Sequence, residues 1–157
     1  MALARLDPPR QYPTVPRTVS DLLGDVRERY ERIGPEPALE EQRAGAVIVD
    51  TRCYEQREEH GLIPGALLME RNVMEWRLDP QSDYREPWIE DHETRVIVVC
   101  QQGFGSSMAV RSLLDMGLVR ATDLAGGFEA WRNAGLPIEP HSPEADDRAR
   151  QGPGSAG

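Results

Sequence analysis

The chain has 157 residues, 39% of them hydrophobic, which is enough for one proper core and favours a single domain. Its formal net charge of −9 argues against nucleic acid and against an anionic membrane surface as partners. All 18 basic residues are arginine, which excludes lysine Schiff-base chemistry and a Walker-type phosphate loop.

Neither end of the chain has a periodic apolar pattern. Residues 1–17 carry four prolines among polar residues, and residues 140–157 are rich in proline, glycine and charge. We therefore expect mobile tails on both sides of a domain at residues 18–139. The chain start has no apolar signal region, and no stretch approaches the length of a membrane span. Two cysteines make no disulfide framework, so a cytoplasmic protein is expected.

Two helices are predicted before the first strand. Thr18 and Asp21 form a start resembling a capping box, and apolar residues recur at helical spacing from Val19 as far as Ile33. This pattern predicts an amphipathic helix that covers the core. A second, shorter helix fits residues 37–43, with a proline early and Gly45 just beyond its end.

Strands and helices then alternate along the chain. Strands are predicted at residues 46–50, 66–69, 96–99 and 120–124, and helices at residues 70–78, 106–116 and 128–134. A long acidic connection, residues 79–94, is expected to be pinned to the body by Trp88 and Ile89. This order predicts an α/β fold with a central, mostly parallel β-sheet flanked by helices, in which ligands bind beyond the carboxyl ends of the strands.

Cys100 stands at such a carboxyl end, directly after the β-branched run at residues 96–99. Gly103, Gly105 and small hydroxyl residues follow it before the next helix. Glycines let successive backbone N–H groups turn inward, and the positive end of the following helix points at the same place. Such a nest of amides favours a thiolate, so Cys100 is predicted to be a nucleophile. The alternative is a cysteine that only fills the end of a strand.

The loop resembles the active-site loop of the rhodanese-like sulfurtransferases, and four further segments resemble landmarks of that family. The five segments, in chain order, are residues 48–52 (Ile-Val-Asp-Thr-Arg), 61–66 (Gly-Leu-Ile-Pro-Gly-Ala), 98–103 (Val-Val-Cys-Gln-Gln-Gly), 124–131 (Leu-Ala-Gly-Gly-Phe-Glu-Ala-Trp) and 135–137 (Gly-Leu-Pro). They cover about residues 44–138. The resemblance implies a single-domain rhodanese-like fold with helices on both faces of the sheet.

The resemblance also implies roles for particular side chains. Cys100 would be the catalytic nucleophile, and Asp50 and Arg52 would tie loops together below the site. Substrate-binding positions would be those of the loop itself, which are Gln101, Gln102, Gly103, Phe104, Gly105 and Ser106. Family members that use anionic donors often bring a cation to the site, and Arg57, Arg71 and Arg77 are the candidates here because residues 101–109 contain no arginine.

The function implied is transfer of a sulfane sulfur from thiosulfate or a persulfide, through a Cys100 persulfide, to a thiol or cyanide acceptor. No cofactor or metal is expected, since the three histidines show no spacing with cysteine or acids typical of a metal site.

Three alternatives stay open from the sequence. The first is a sulfur-relay or binding module with little turnover, because the loop carries no charge. The second is a cysteine phosphatase or arsenate reductase, but those enzymes need an arginine six residues after the cysteine, where Ser106 stands here. The third gives Cys53 a redox role, resolving an oxidised Cys100 as a disulfide, against a simple packing role.

Overall fold

A four-stranded, fully parallel sheet forms the centre of the computed structural model, which describes residues 13–152. Its strands are β1 (Val47–Asp50), β2 (Leu67–Leu68), β3 (Val96–Val99) and β4 (Thr122–Asp123), in the spatial order β2-β1-β3-β4. The predicted parallel sheet is confirmed. The outer parts of the expected mobile tails, residues 1–12 and 153–157, lie outside the described residues.

Seven α-helices surround the sheet within the described part of the chain. They are α1 (Val19–Arg27), α2 (Pro35–Arg43), α3 (Tyr54–His60), α4 (Met74–Leu78), α5 (Gly105–Asp115), α6 (Gly127–Asn133) and α7 (Pro143–Gln151), and a short 3-10 turn, Arg71–Val73, leads into α4. None of these helices is long and apolar enough to cross a bilayer.

Alternating residues of the two central strands build a separate core on each face of the sheet. Val47, Val49, Val96 and Val98 pack on one face with apolar residues of α4 and α5. Ile48, Ile97 and Val99 pack on the other face with residues of α2 and α6, including the fully buried Phe128 and Trp131. Because successive strand side chains point to opposite faces, a strand buried on both faces must be apolar throughout, as β1 up to Asp50 and β3 are.

The first helix is shorter than its apolar spacing predicted. It begins at the capping box of Thr18 and Asp21 as expected, but it ends at Arg27. Ile33 instead lies in an extended segment that pairs with Leu124 beside β4, donating its N–H to Asp123 O at 3.2 Å. The helical spacing of Ile33 was therefore misleading, because a buried extended residue and a buried helical residue look alike in sequence.

Two further helices correct the sequence expectations. Residues 54–60, where no helix was predicted, form α3 with Cys53 at its N-cap. Residues 143–151, expected within a mobile tail, form α7, whose N-cap Ser142 accepts a hydrogen bond from Ala145 N. Proline at the first position, acids in the first turn and arginines in the last turn are helix signals that a search for apolar periodicity does not detect.

The long connection, residues 79–94, contacts the core through two apolar residues. Ile89 is fully buried and Trp88 packs against the core, as expected for the long connection. Trp76 is 59% exposed, and Met74 and Leu78 are the residues of α4 that fill the core.

Candidate active site

Cys100 follows the last residue of β3 and begins a short loop that leads into α5. Since all four strands run in parallel, their carboxyl ends meet at one edge of the sheet, and the loop lies at that edge. The side chain of Cys100 is half-buried.

The loop folds around the sulfur of Cys100. The backbone N–H groups of Gly103 and Ser106 donate to Sγ at 3.2 and 3.3 Å, and the hydroxyl of Ser106 lies 3.3 Å from the same atom. Three polar groups therefore converge on Sγ. Amides in this arrangement stabilise negative charge that develops on the sulfur.

Close packing against the start of α6 holds the loop in this conformation. Phe128 N and Glu129 N donate to the carbonyls of Cys100 and Gln101 at 2.8 and 3.1 Å. A Cβ on Gly127 would lie only 2.6 Å from Cys100 O and Gly103 N, so no larger residue fits at this point. The pair Gly126-Gly127 is thus the surface on which the Cys100 loop packs.

Gly103 is itself restricted to glycine. Its φ of +85° lies in the left-handed region, and a Cβ would approach Gly126 N to 2.8 Å. This conformation turns the Gly103 N–H towards Sγ.

A buried carboxylate, Asp123 of β4, lies beneath the loop. It accepts hydrogen bonds from the hydroxyls of Ser106 (2.7 Å), Ser107 (2.9 Å) and Tyr30 (2.8 Å), and from the guanidinium of Arg32. Burial opposes ionisation of this fully buried group, but the bonds from Arg32, Ser106 and Tyr30 and the charge of Arg32 outweigh it, so the pKa of Asp123 lies below its ordinary value. Asp123 is therefore a carboxylate at neutral pH.

Two arginines from the N-terminal segment contact the loop. Arg32 and Arg27 both donate from Nη2 to Gly103 O, at 2.7 and 2.8 Å, and Arg27 Nε also donates to Ser107 Oγ at 3.0 Å. Burial lowers the pKa of Arg32, but the hydrogen bond and the charge of Asp123 more than compensate and raise it. Arg27 has no carboxylate partner within the described residues, so its charge is not neutralised locally.

The three arginines expected near the site are committed elsewhere. Arg57 is buried and ion-paired with Asp146 of α7, Arg71 pairs with Glu75 in its own helical segment, and Arg77 pairs with Glu86. In the described structure none of these three donates a hydrogen bond to residues 100–107. Sequence reasoning missed Arg27 and Arg32 because both belong to the N-terminal segment, whose return to the sheet edge it did not anticipate.

Asp50 and Arg52 lie at the end of the neighbouring strand. Arg52 Nη2 donates to Asp50 Oδ2 at 2.7 Å and to Gly61 O at 2.8 Å, and its guanidinium carbon lies 3.7 Å from the centre of the Phe128 ring. These contacts link β1, the turn at Gly61 and the start of α6.

The remaining candidates occupy the rim of the loop or other parts of the same edge. Phe104 is 56% exposed at the tip, Gln102 lies 3.5 Å from Glu129, and the side-chain oxygen of Gln101 is buried without a hydrogen-bond partner in the described structure. Cys53 is exposed at the start of α3, and both cysteines are free thiols. Within residues 13–152 there is no group of three or more histidine, cysteine or acidic side chains that could hold a metal.

A parallel sheet that presents one cysteine inside a nest of amides defines an α/β domain whose candidate site is built around a cysteine. Residues 35–134 match the family model of the rhodanese-like domain, and the chain belongs to this family.

The chain is similar to individual proteins over most of its length. The chain is 34% identical to thiosulfate sulfurtransferase GlpE of Glaesserella parasuis serovar 5, over 73% of this chain and 97% of that protein. It is 41% identical to thiosulfate sulfurtransferase GlpE of Actinobacillus pleuropneumoniae serotype 7, with the same coverage. A solved structure from Rhodopseudomonas palustris, described as a protein of unknown function and possible tyrosine phosphatase, is 32% identical over 82% of this chain and 99% of its own, with a TM-score of 0.71.

Proposed function

We propose that the protein is a sulfurtransferase that carries a sulfane sulfur on Cys100, from thiosulfate or a persulfide to a thiol or cyanide acceptor. The observation that carries the proposal is the convergence of the Gly103 and Ser106 amides on Cys100 Sγ. The names of the curated relatives, thiosulfate sulfurtransferases of nearly the same length as the matched region, support the same activity.

The two half-reactions form and break S–S bonds at Cys100. In the first, the Cys100 thiolate attacks the outer sulfur of thiosulfate, a new S–S bond forms, and sulfite leaves with the electron pair of the broken bond. In the second, the acceptor attacks the outer sulfur of the persulfide, and the electron pair of the Cys–S bond to that sulfur returns to Sγ. The loop amides stabilise the negative charge on sulfur in both steps.

Thiosulfate carries two negative charges, so its binding beside a thiolate needs a cation in addition to the amides. Arg27 is the best-supported source of that charge, because it touches the loop at two points and has no carboxylate partner in the described structure. Arg32 is a weaker source, since Asp123 offsets its charge. We propose that Arg27 takes the role that the sequence assigned to Arg57, Arg71 or Arg77.

Phosphatase chemistry, suggested by the description of the Rhodopseudomonas palustris protein, is less well supported for this chain. Such enzymes use an arginine six residues after the cysteine to bind the equatorial oxygens of a phosphoryl group. Here that residue is Ser106, and its hydroxyl donates to the buried Asp123. We therefore expect no hydrolysis of p-nitrophenyl phosphate under conditions in which sulfur transfer is measurable.

A low-turnover relay between protein thiols is the second alternative, and it concerns rate and partner rather than chemistry. Steady-state kinetics with thiosulfate, a neutral persulfide and a protein persulfide distinguish a transferase that uses small-molecule donors from a relay. Turnover restricted to the protein donor would favour the relay.

We propose that the protein works in the cytoplasm, because both cysteines are free thiols.

The decisive experiment is mass spectrometry of the protein after incubation with thiosulfate. We expect a gain of one sulfur on the peptide that contains Cys100, and its loss when cyanide is added. Cys100→Ser should abolish both the mass gain and turnover, whereas Cys53→Ser should retain most activity. Sulfur on Cys53 instead, or turnover near wild type in Cys100→Ser, would contradict the proposal.

A further inference from the structure

The hydroxyl of Ser106 lies between the nucleophile and a buried carboxylate. Its oxygen is 3.3 Å from Cys100 Sγ and 2.7 Å from Asp123 Oδ2, and the residue is fully buried. Sulfur, hydroxyl and carboxylate therefore form a continuous chain that leads from the active site into the protein interior.

A serine hydroxyl has one proton to donate and two lone pairs that accept. When Ser106 donates to Asp123, it can offer Sγ only a lone pair, so it accepts the proton of a Cys100 thiol. A thiolate has no proton, and a lone pair directed at it is repulsive. The hydroxyl of Ser106 must then turn towards Sγ if it is to stabilise the thiolate, and in turning it gives up the bond to Asp123.

We propose that Asp123 is a positioning residue that competes with Cys100 for the hydrogen bond donated by the Ser106 hydroxyl. It thereby regulates how strongly the thiolate is stabilised. The inference rests on the proposed function, because it concerns the sulfur that acts as nucleophile in the first half-reaction and as leaving group in the second. The hydroxyl would donate to Sγ while the thiolate exists and to Asp123 while Cys100 is a thiol or a persulfide. No proton moves between residues, since only the hydroxyl rotates.

The other hydrogen bonds of Asp123 allow the Ser106 hydroxyl to turn away from it. When Ser106 turns away, the carboxylate still keeps its bonds from Ser107, Tyr30 and Arg32 and is not left unsatisfied. The lowered pKa of Asp123 agrees with a carboxylate that stays ionised and accepts hydrogen bonds without taking a proton. Removing one of its other donors should strengthen its pull on Ser106.

Tyr30 and Arg32 connect this competition to the segment that follows α1, which lies outside residues 35–134 of the family match. Asp123 therefore joins the nucleophile loop to a part of the chain that the family model does not include.

The test measures the rate of alkylation of Cys100 by iodoacetamide as a function of pH. Cleavage after arginine separates the Cys100 peptide, residues 96–111, from the Cys53 peptide, residues 53–57, so mass spectrometry follows Cys100 alone. Because alkylation uses no sulfur donor, its outcome is independent of whether the protein transfers sulfur.

Four variants give the expected pattern. Ser106→Ala should raise the pH at which alkylation is half-maximal, because the thiolate loses a hydroxyl donor. A hydrogen bond to the charged thiolate is stronger than one to the neutral thiol, so its loss disfavours the thiolate. Asp123→Asn should lower it by about half a pH unit or more, a roughly threefold change in thiolate fraction at a fixed pH. In the Ser106→Ala background, Asp123→Asn should shift the midpoint by less than half as much. Asp115→Asn, on the exposed end of α5, serves as the control and should leave it unchanged.

Equal shifts for Asp123→Asn in both backgrounds would overturn the proposal, because Asp123 would then act as a charge without Ser106. The absence of any shift in the wild-type background would overturn it as well. If Asp123→Asn does not fold, Tyr30→Phe replaces it. When Ser106 is present, that variant should raise the pH of half-maximal alkylation by an amount equal to about a twofold fall in proton concentration. In the Ser106→Ala background its effect should be smaller. Equal effects, or none, would again contradict the proposal.

Discussion

Two arginines that precede the sheet in the chain contact the Cys100 loop. Arg27 and Arg32 converge on a single carbonyl, that of Gly103, although five positions separate them along the chain. This convergence depends on the early end of α1, after which the chain turns back along β4. An arginine on a helix surface is ordinarily solvated, and only its neighbours in the fold distinguish Arg27 from the other arginines.

Replacement of Arg27 should weaken the binding of anionic donors in particular. We expect Arg27→Ala to raise the KM for thiosulfate at least tenfold, about 1.4 kcal/mol, because an unneutralised cation next to the loop is lost. Arg27→Lys should recover part of the effect by restoring charge without the forked geometry. Steady-state kinetics with thiosulfate and with a neutral persulfide measure the difference.

Arg29→Ala is the matched control for Arg27, since Arg29 lies two residues away and pairs with Asp115 at the surface. Its thiosulfate KM should be that of the wild type. A tenfold rise with the neutral donor as well would indicate that Arg27 holds the loop in shape and does not serve as a counter-charge. An unchanged KM in Arg27→Ala would point to a donor other than thiosulfate.

At the scale of secondary-structure elements, α7 explains the position of Arg57. The buried guanidinium of Arg57 donates to both carboxylate oxygens of Asp146, at 3.2 and 3.1 Å, so this ion pair joins α3 to the last helix. Burial raises the pKa of Asp146, but the hydrogen bonds and charge of Arg57 and the proximity of His141 lower it further than burial raises it. The helix that sequence reasoning assigned to a tail is thus attached in part by this ion pair, together with the buried Ala145 and the pair of Arg150 with Glu70.

Removing this ion pair should release α7 and leave the sheet intact. We expect Asp146→Asn to reduce the free energy of unfolding by about 1–3 kcal/mol, the range for a lost hydrogen bond to a charged group that leaves its partner buried. Urea denaturation measures the loss, and faster tryptic cleavage after Arg148 and Arg150 measures the release.

Asp147→Asn provides the comparison for α7, because Asp147 is the exposed neighbour on the same helix. It should change neither the stability nor the cleavage rate. If both variants behave like the wild type, α7 is held by contacts other than the Arg57–Asp146 pair.

At the scale of the whole molecule, two buried carboxylates link stability to pH. The pKa values of Asp123 and Asp146 are lower in the folded protein than the ordinary 3.8, so both groups bind protons more tightly when the chain is unfolded. Their contribution to stability is complete above the unfolded pKa and is lost as the pH falls through the lower, folded pKa.

The free energy of unfolding should therefore stay level from about pH 7 to pH 5 with respect to these two groups and fall as the pH drops below about 4. Urea titrations at pH 7, 5 and 3 measure this dependence. Asp146→Asn should show a smaller loss between pH 5 and pH 3 than the wild type, because one of the two titrating groups is absent. The same acid loss in both proteins would mean that Asp146 does not contribute to it.

Much of the architecture could be predicted from the sequence because its signals are local. The β-branched run of β3, the capping box of α1 and the glycines around Cys100 each depend on conformational preferences of a few neighbouring residues. The five segments that resemble landmarks of the rhodanese-like family, in the family's order, added the expected topology of the sheet. The position of Cys100 at the carboxyl edge of a parallel sheet follows from these features.

Only the tertiary structure decided which distant side chains meet at that edge. Asp123 is a polar residue in a two-residue strand, and nothing in its local sequence distinguishes it from a surface acid. It becomes the centre of the site because β4 lies next to β3 and because the segment after α1 runs beside β4, which brings Tyr30, Arg32 and Ser106 within hydrogen-bonding distance. The sequence likewise does not show which carboxylate each arginine contacts. A long flexible arginine side chain pairs with a carboxylate that is close in the folded chain, and sequence separation carries no information about that distance.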